Sequence, residues 1–332
     1  MTAPIDRLLS DLDIHPVLVD IGASGAPPAI WDSIASHSTY VGFDPDLREI
    51  HEVPDSRFHR AVIVNEAITS STDKEVRFYL TKSPYCSSTL RPDTEALADY
   101  IFSDLFTVER ETAVRATTLN EVLERLSLPR IDWFKTDSQG TDLRLFTSLR
   151  DDISSRVLAI DIEPGLIDAY VGEDLFADAH KALTERGFWL SNMNVCGTVR
   201  MKSATLQELN ATNAQIDQPL IERLVRQTPC WVEARYFRTS KSLLQTGAGK
   251  EDFALLWVFA LIDEQTGFAL DLALEYERVF GRDGIAQLMR NEPLRRIRKS
   301  SVLKPAAVVA PLPVRALRKL RRSLSSLRQS NL

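Results

Sequence analysis

A mostly parallel, doubly wound α/β sheet is the fold class this sequence predicts, and three observations predict it. Short apolar runs alternate with helical patterns through residues 17–238, the signature of a parallel sheet covered on both faces. Two of those runs, Val17-Leu18-Val19 and Tyr40-Val41-Gly42-Phe43, each end in an acid, Asp20 and Asp44. Between them lie a Gly22-Ala23-Ser24-Gly25 turn and a Pro27-Pro28 start to a helical segment, so residues 17–46 read as a β-turn-α-β unit. Ligands of open α/β sheets sit at the carboxyl ends of the strands, which places the candidate site at that edge.

The elements follow in order. Pro4 to Leu12, within an N-terminal segment 1–15, reads as a short amphipathic helix acting as a lid over the sheet edge. Ile30, Trp31 and Ile34 give one apolar face to the helix after the glycine turn. Phe58–Asn65 is the third strand, and Glu75–Leu80 alternates as an added one. Ser83 to Ser88 is a hydroxyl-rich loop. Thr118 and Glu121 form a capping box for a helix running through Leu128, where Pro129 stops it. Ile131–Thr136 is the fourth strand and ends at Asp137; Gly140 then permits a sharp turn into a helix beginning at Asp142. Val157–Ile162 is the fifth strand, closed by Glu163-Pro164-Gly165. Glu173 to Arg186 is helical and capped by Gly187, while Phe188–Asn192 and Thr198–Met201 read as the next strand or a hairpin. Thr205 to Arg226 is an inserted helix, and Trp231–Arg238 the last strand, so that residues 16–240 form the main domain. A Thr246–Gly249 linker leads to a helical appendage, 250–290, that either covers the sheet or pairs two subunits in a homodimer. Its run Phe253–Ile262 is too short to span a bilayer and reads as a buried helix.

Composition narrows the functions. With 332 residues, 44% of them hydrophobic, the chain can bury a sizeable core. The net charge of −6 conceals an asymmetry: residues 290–332 hold 12 Lys/Arg against Glu292 alone, and the remainder carries −17. An acidic body of that kind argues against a nucleic-acid substrate. Within the tail, 291–332, Val314, Leu317, Leu320, Leu324 and Leu327 line one face of a basic helix suited to peripheral contact with an anionic membrane; a solvated tail is the alternative. Three unpaired cysteines, Cys86, Cys196 and Cys230, and an N-terminus interrupted by Asp6, Arg7, Asp11 and Asp13 point to a cytoplasmic protein with reduced thiols.

The glycine turn admits two nucleotide-derived cofactors. A dinucleotide wants a full G-x-G-x-x-G and brings a pyrophosphate, which Asp20 would repel; here only Gly22 and Gly25 are present. S-adenosylmethionine (SAM) carries an ammonium and a sulfonium and no phosphate, so acids beside the turn attract it. Asp44 suits the ribose hydroxyls. The cofactor-binding candidates are thus Asp20, Gly22, Ala23, Ser24, Gly25, Asp44 and Pro45, with Glu66 along the adenine as in folds of this type.

VDIGASG, YVGFDPD and the segment IDWFKTDSQGTDLRLF (Ile131–Phe146) resemble the FkbM-type family of SAM-dependent methyltransferases, from about Val17 to Arg238. Gln139 stands where that family often has Glu, and Asn120 where it often has Asp. The resemblance implies a Rossmann-like class I methyltransferase fold with an antiparallel last strand. It also implies O-methylation of a sugar hydroxyl in a glycan, or of a small natural product. Methyl transfer needs alignment and, for a hydroxyl, a base. Asp137 at the end of the fourth strand is the first candidate base and Glu163 the second; Lys135 orients a carboxylate or caps a helix. The alternative for Asp137 is an ordinary helix N-cap accepting N–H bonds after Gly140. Strand alternation turns Asp161 away from Asp137 and Glu163, so no metal is expected. A nicotinamide-dependent oxidoreductase and a non-catalytic membrane-docked module are the alternatives.

Overall fold

The computed structural model describes residues 3–46, 48, 56–213 and 215–302. The basic tail helix falls outside them, and among the described residues no helix is long and apolar enough to cross a membrane.

Among the described residues there are ten strands: β1 (Val17–Ile21), β2 (Thr39–Phe43), β3 (Arg60–Val64), β4 (Ala67–Ile68), β5 (Glu75–Thr81), β6 (Val108–Thr117), β7 (Trp133–Thr136), β8 (Ala159–Ile162), β9 (Phe188–Thr198) and β10 (Thr228–Arg238). Seven of them form one sheet in the order β3-β2-β1-β7-β8-β10-β9, while β4, β6 and β5 make a small separate sheet. In the large sheet β10 alone runs antiparallel to its neighbours β8 and β9, and the other pairings are parallel, a Rossmann-like arrangement.

Side chains alternate between two cores. Leu18, Tyr40, Trp133, Ala159 and Phe237 enter one. Val19, Val41, Phe134, Ile160 and Tyr236 enter the other. The second face is covered by α3 (Leu119–Arg125), α4 (Asp142–Thr147), α5 (Asp151–Ser154) and α6 (Phe176–Glu185). The first is covered by α1 (Ala3–Asp11) and by α10 (Lys250–Ile262), with α11 (Thr266–Phe280) and α12 (Gly284–Val302) behind. Every residue from Phe253 to Leu261 is at most 2% exposed, so α10 is a central helix of the core. Its Phe259 packs edge-on to Trp133 at 4.8 Å between centroids, and Trp257 Nε1 donates to the Met289 carbonyl at 2.9 Å. The remaining helices are short: α2 (Thr94–Leu97), α7 (Ser203–Thr212), α8 (Gln218–Leu224) and α9 (Ser240–Gln245).

Several expectations are corrected. The N-terminal helix is no lid, because Ile5, Leu8 and Leu9 of α1 are buried in the core shared with α10, on the sheet face rather than its edge. The helix after Gly25 is two 3-10 turns, Ala29–Trp31 and Ala35–His37. Ile34 between them sits at φ −123, ψ −1, and the Ser38 hydroxyl donates back to the Ile34 carbonyl, a local bond that competes with helix. Trp31 and Ile34 are fully buried all the same. Ser127 at φ 56 ends α3 early. The long insertion helix is broken into α7 and α8, because Asp217 caps a new start, with Pro219 in its first turn. The chain from Phe188 is one continuous edge strand whose middle, Asn192 to Val195, is exposed, not two pieces. Gly197 is required within it: a Cβ there would lie 2.0 Å from the Thr228 carbonyl oxygen.

One buried charge joins β1, β7 and α10. Asp132, 1% exposed, accepts the Val17 N–H at 2.8 Å and lies 2.5 Å from Arg130 Nη2, which also reaches Asp252 at 2.8 Å. Truncating one member of a buried set strands the other charge. Asp132→Ala is therefore expected to cost about 3–5 kcal/mol in urea denaturation. Asp132→Asn, which keeps an acceptor for Val17, is expected to cost less.

Candidate functional site

The first two strands meet the middle of the sheet through a backbone crossing. Beyond β1, the N–H groups of Gly22 and Ala23 both donate to the Phe43 carbonyl at 2.9 Å. The Asp137 N–H donates to the Ile21 carbonyl at 2.8 Å, extending the β1–β7 pairing by one residue. Gly22 has φ +79, and a Cβ on it would fall 2.2 Å from the Asp137 carbonyl oxygen. Only glycine lets the turn pass there.

A cleft opens above this crossing, about 720 Å³ counting the space at its mouth. Gly22, Ser24, Asp44, Pro45, Glu66 and Asp137 all line it, with Ile68 and Phe78 as apolar wall. Asp44 is 8% exposed and its Oδ1 accepts the Asp46 N–H at 2.8 Å. Burial, aided by the neighbouring acids Asp46, Asp137 and Asp20, pushes its carboxyl up to about 6 against the pull of that N–H. Glu66 Oε2 accepts from Arg125 Nη2 at 2.8 Å. One wall residue, Asp46, gave no signal strong enough to single out. Asp46 pairs with Arg48, whose guanidinium also donates to the Thr81 carbonyl at 3.2 Å and to Ser87 Oγ at 2.9 Å. That clamp ties the end of β2 to the small sheet. The FDPD run contained Asp46, but its partners lie 33 and 39 residues beyond Arg48.

Asp20 is a correction. It does not line the cleft: alternation from Leu18 carries it to the α10 side of β1, where it is 2% exposed. Lys135 Nζ sits 2.7 Å from its Oδ1, and Tyr40 Oη donates to Oδ2 at 3.1 Å. Gly42 leaves room for that hydroxyl, since a Cβ would meet it at 2.8 Å. Lys135 is thereby committed to Asp20. Burial opposes its charge, but Asp20 and Asp137 outweigh burial and hold the amine protonated. The pair begins a row of alternating charge in register across four strands, Asp20, Lys135, Asp161 and Arg235. Arg235 binds Asp161 at 2.8 Å and, at the end of α10, Asp263 at 2.6 Å. Ala23 and Gly25 shape the turn without lining the cleft.

Asp137 is not the cap of α4. The N-cap is Thr141, which makes no side-chain capping bond; Asp142, the first residue of α4, has a buried carboxylate that collects the Ser138 N–H at 2.9 Å, Thr136 Oγ1 at 3.0 Å and the Glu163 N–H at 2.7 Å. Asp137 instead accepts from Gln139 Nε2 at 2.5 Å, and Gln139 Oε1 accepts from Tyr170 Oη at 2.8 Å. Asp137, Gln139 and Tyr85 form the partition between the cleft and a second cavity of about 1020 Å³ on the same measure. Glu163 lies in this second cavity, among Phe102, Phe106, Tyr170 and Trp231. Burial and then Asp137 raise the Glu163 carboxyl far above its usual range; burial and then Asp142 raise Asp137 less, with Lys135 pulling both down. Burial and the neighbouring Asp137 thus favour the protonated form of Glu163. Nothing in the sequence signalled Tyr170.

A family model described as the methyltransferase FkbM domain matches residues 24–190. The span takes in Asp44, Glu66, Asp137 and Glu163, and begins just after Gly22. No curated protein and no solved structure gives a significant match.

An acid whose folded pKa exceeds its unfolded one binds its proton more tightly when folded, so stability falls as pH rises between the two values. For Asp44 that window runs from the ordinary 3.8 to about 6. Asp44→Asn is expected to match the parent at pH 4 and to be more stable by up to about 2 kcal/mol at pH 7, read by urea denaturation at both pH values.

Proposed function

The chain belongs to the FkbM methyltransferase family, and from that premise we propose that it transfers a methyl group from S-adenosylmethionine to a sugar hydroxyl of a glycan or of a small natural product. The observation that carries the cofactor reading is the charge of the cleft. Asp44, Asp46, Glu66 and Asp137 line it, and among the described residues no Lys, Arg or His does. A pyrophosphate would meet four carboxyl groups, of which Arg48 and Arg125 pair only Asp46 and Glu66; a sulfonium and an ammonium suit the acids left over, Asp44 and Asp137. The oxidoreductase reading fails on the same ground, beside the missing third glycine.

The residues present fit that cofactor. The Gly22 bend, where a Cβ would collide with Asp137, gives a close backbone approach at the centre of the edge. Asp44 would take the ribose hydroxyls, and Ile68 and Phe78, with Glu66, would flank the adenine. The bound cofactor supplies a methyl carbon already activated by its sulfonium.

What remains for the protein is alignment and a destination for the acceptor proton. Asp137 stands at the boundary of both cavities, so its carboxylate reaches the space where cofactor and acceptor meet. Gln139 fixes its Oδ1, and Tyr170 fixes Gln139. Asp137 would accept the hydroxyl proton as the oxygen attacks. Glu163, protonated near neutrality, would donate a hydrogen bond that holds the acceptor oxygen or a neighbouring hydroxyl.

Calorimetric titration tests the cofactor. SAM and its demethylated product are expected to bind the parent protein and NAD is not; NAD binding in their place would overturn the reading. Asp44→Ala should weaken SAM by at least about tenfold, the loss of one good hydrogen-bonded contact. Asp137→Asn should leave SAM affinity within a few-fold and lower methyl-transfer kcat by about 10²–10⁴. An unchanged kcat would remove Asp137 from the chemistry, and a protein whose biological role survives that variant would be a binding module.

A further inference from the structure

We propose that the second cavity is the acceptor site and that Glu173 sets its preference: it takes a ring-bearing acceptor that gives a hydrogen bond to Glu173 and carries no anionic group. The proposal rests on the methyl-transfer reading above, and it narrows the acceptor by charge.

Glu173 occupies a slot made by two glycines. A Cβ on Gly140 would lie 2.9 Å from the Glu173 Cβ, and one on Gly165 would lie 1.9 Å from Glu173 Oε1. Both glycines line the second cavity, as Glu173 does. One carboxyl oxygen is already used, because Oε2 accepts the Tyr170 N–H at 2.9 Å. The other, Oε1, is buried and makes no hydrogen bond of ordinary geometry among the described residues; the Ala169 N–H lies near the carboxyl and steadies its charge without closing a bond. A buried acceptor left without a donor is costly, and a ligand that brings one removes that cost. The segment that carries Glu173 is pinned. The Asp174 N–H donates to the Gly140 carbonyl at 2.8 Å, and Arg144 binds the Asp174 carboxylate at 2.9 Å. The carboxyl is therefore presented by fixed backbone rather than by a loose loop.

The surroundings define the rest of the ligand. Among the described residues, Asp137, Glu163 and Glu173 are the ionisable carboxyl groups on the cavity wall, and no Lys, Arg or His lines it. A phosphate, carboxylate or sulfate on the acceptor would enter with no counter-charge and against at least one anion. Phe102 and Trp231 lie parallel, 9° apart in plane, and Phe106 meets both Phe102 and Tyr170 edge-on. Flat aromatic faces favour a ring, whether a sugar with its C–H face or an arene. Burial raises the Glu173 carboxyl to about 7, so an arriving ammonium would favour its charged form.

Three probes on one scaffold test this by saturation-transfer NMR and titration: tyramine as the cation, 4-methylphenol as the neutral ring and 4-hydroxyphenylacetate as the anion. The full-length protein is used, with and without S-adenosylhomocysteine. Tyramine and 4-methylphenol are expected to bind, with 4-hydroxyphenylacetate weaker by about tenfold or more, as like charges in a low-dielectric cavity demand. Glu173→Gln should weaken tyramine while leaving 4-methylphenol within about twofold, since only the cation loses a counter-charge. Trp231→Leu, which leaves the carboxyl in place, should weaken all three alike. Equal binding of the anion, an unchanged order in Glu173→Gln, or no binding of any probe would each overturn the inference. S-adenosylhomocysteine binding without the charge order spares the methyl-transfer reading and sinks this one. The charge order without S-adenosylhomocysteine binding sinks the methyl-transfer reading and with it the acceptor role.

Discussion

The contact on which the rest depends is the passage of the Gly22 backbone against the carbonyl of Asp137. It forces a glycine at the end of β1, sets the level at which β7 ends, and puts the Asp137 side chain at the junction of two cavities. Asp142 secures the same junction from below. By collecting donors from Thr136, Ser138 and Glu163, it locks the turn after β7 to the turn after β8. One buried carboxylate is thus consumed by structure so that its neighbour can face solvent and ligand. Bonds from Gln139 and Tyr170 then limit how Asp137 can turn.

The sheet handles its charges in two layers. On the α10 side, Asp20, Lys135, Asp161 and Arg235 neutralise one another strand by strand, and Asp263 closes the end of the row. At the carboxyl edge the acids are left in excess, and burial raises several of them. An unpaired acid at a site is a liability to the folded chain and an asset to cation binding. That opposition is the usual relation between stability and function at a binding surface.

Much of this architecture was legible because it is written in strand periodicity. The runs at Val17, Tyr40, Ile131 and Val157 are short, apolar and closed by an acid, and such runs have few other uses. What periodicity could not give was pairing at a distance. Asp20 looked like a cofactor residue because it ends an apolar run beside a glycine turn; only the register of β1 against β7 reveals that Lys135 claims it. Arg48 and Tyr170 carry no local pattern, since each matters through partners dozens of residues away. β6 escaped notice because Glu109, Arg110 and Glu111 hide its alternation, one face of that small sheet being exposed. The turns after Pro28 misled for the opposite reason, as the apolar face was real but the helix was not.

The burial of α10 bears on where this protein can be cut. Residues 24–190 answer to the family, yet they omit β1, β10 and every helix beyond Leu190. A fragment trimmed to that span would lose the strand that carries Leu18 and Gly22, and would leave Trp133 and Ala159 without the helix that roofs them. The span that the family model matches and the span that closes this core are therefore different lengths of chain.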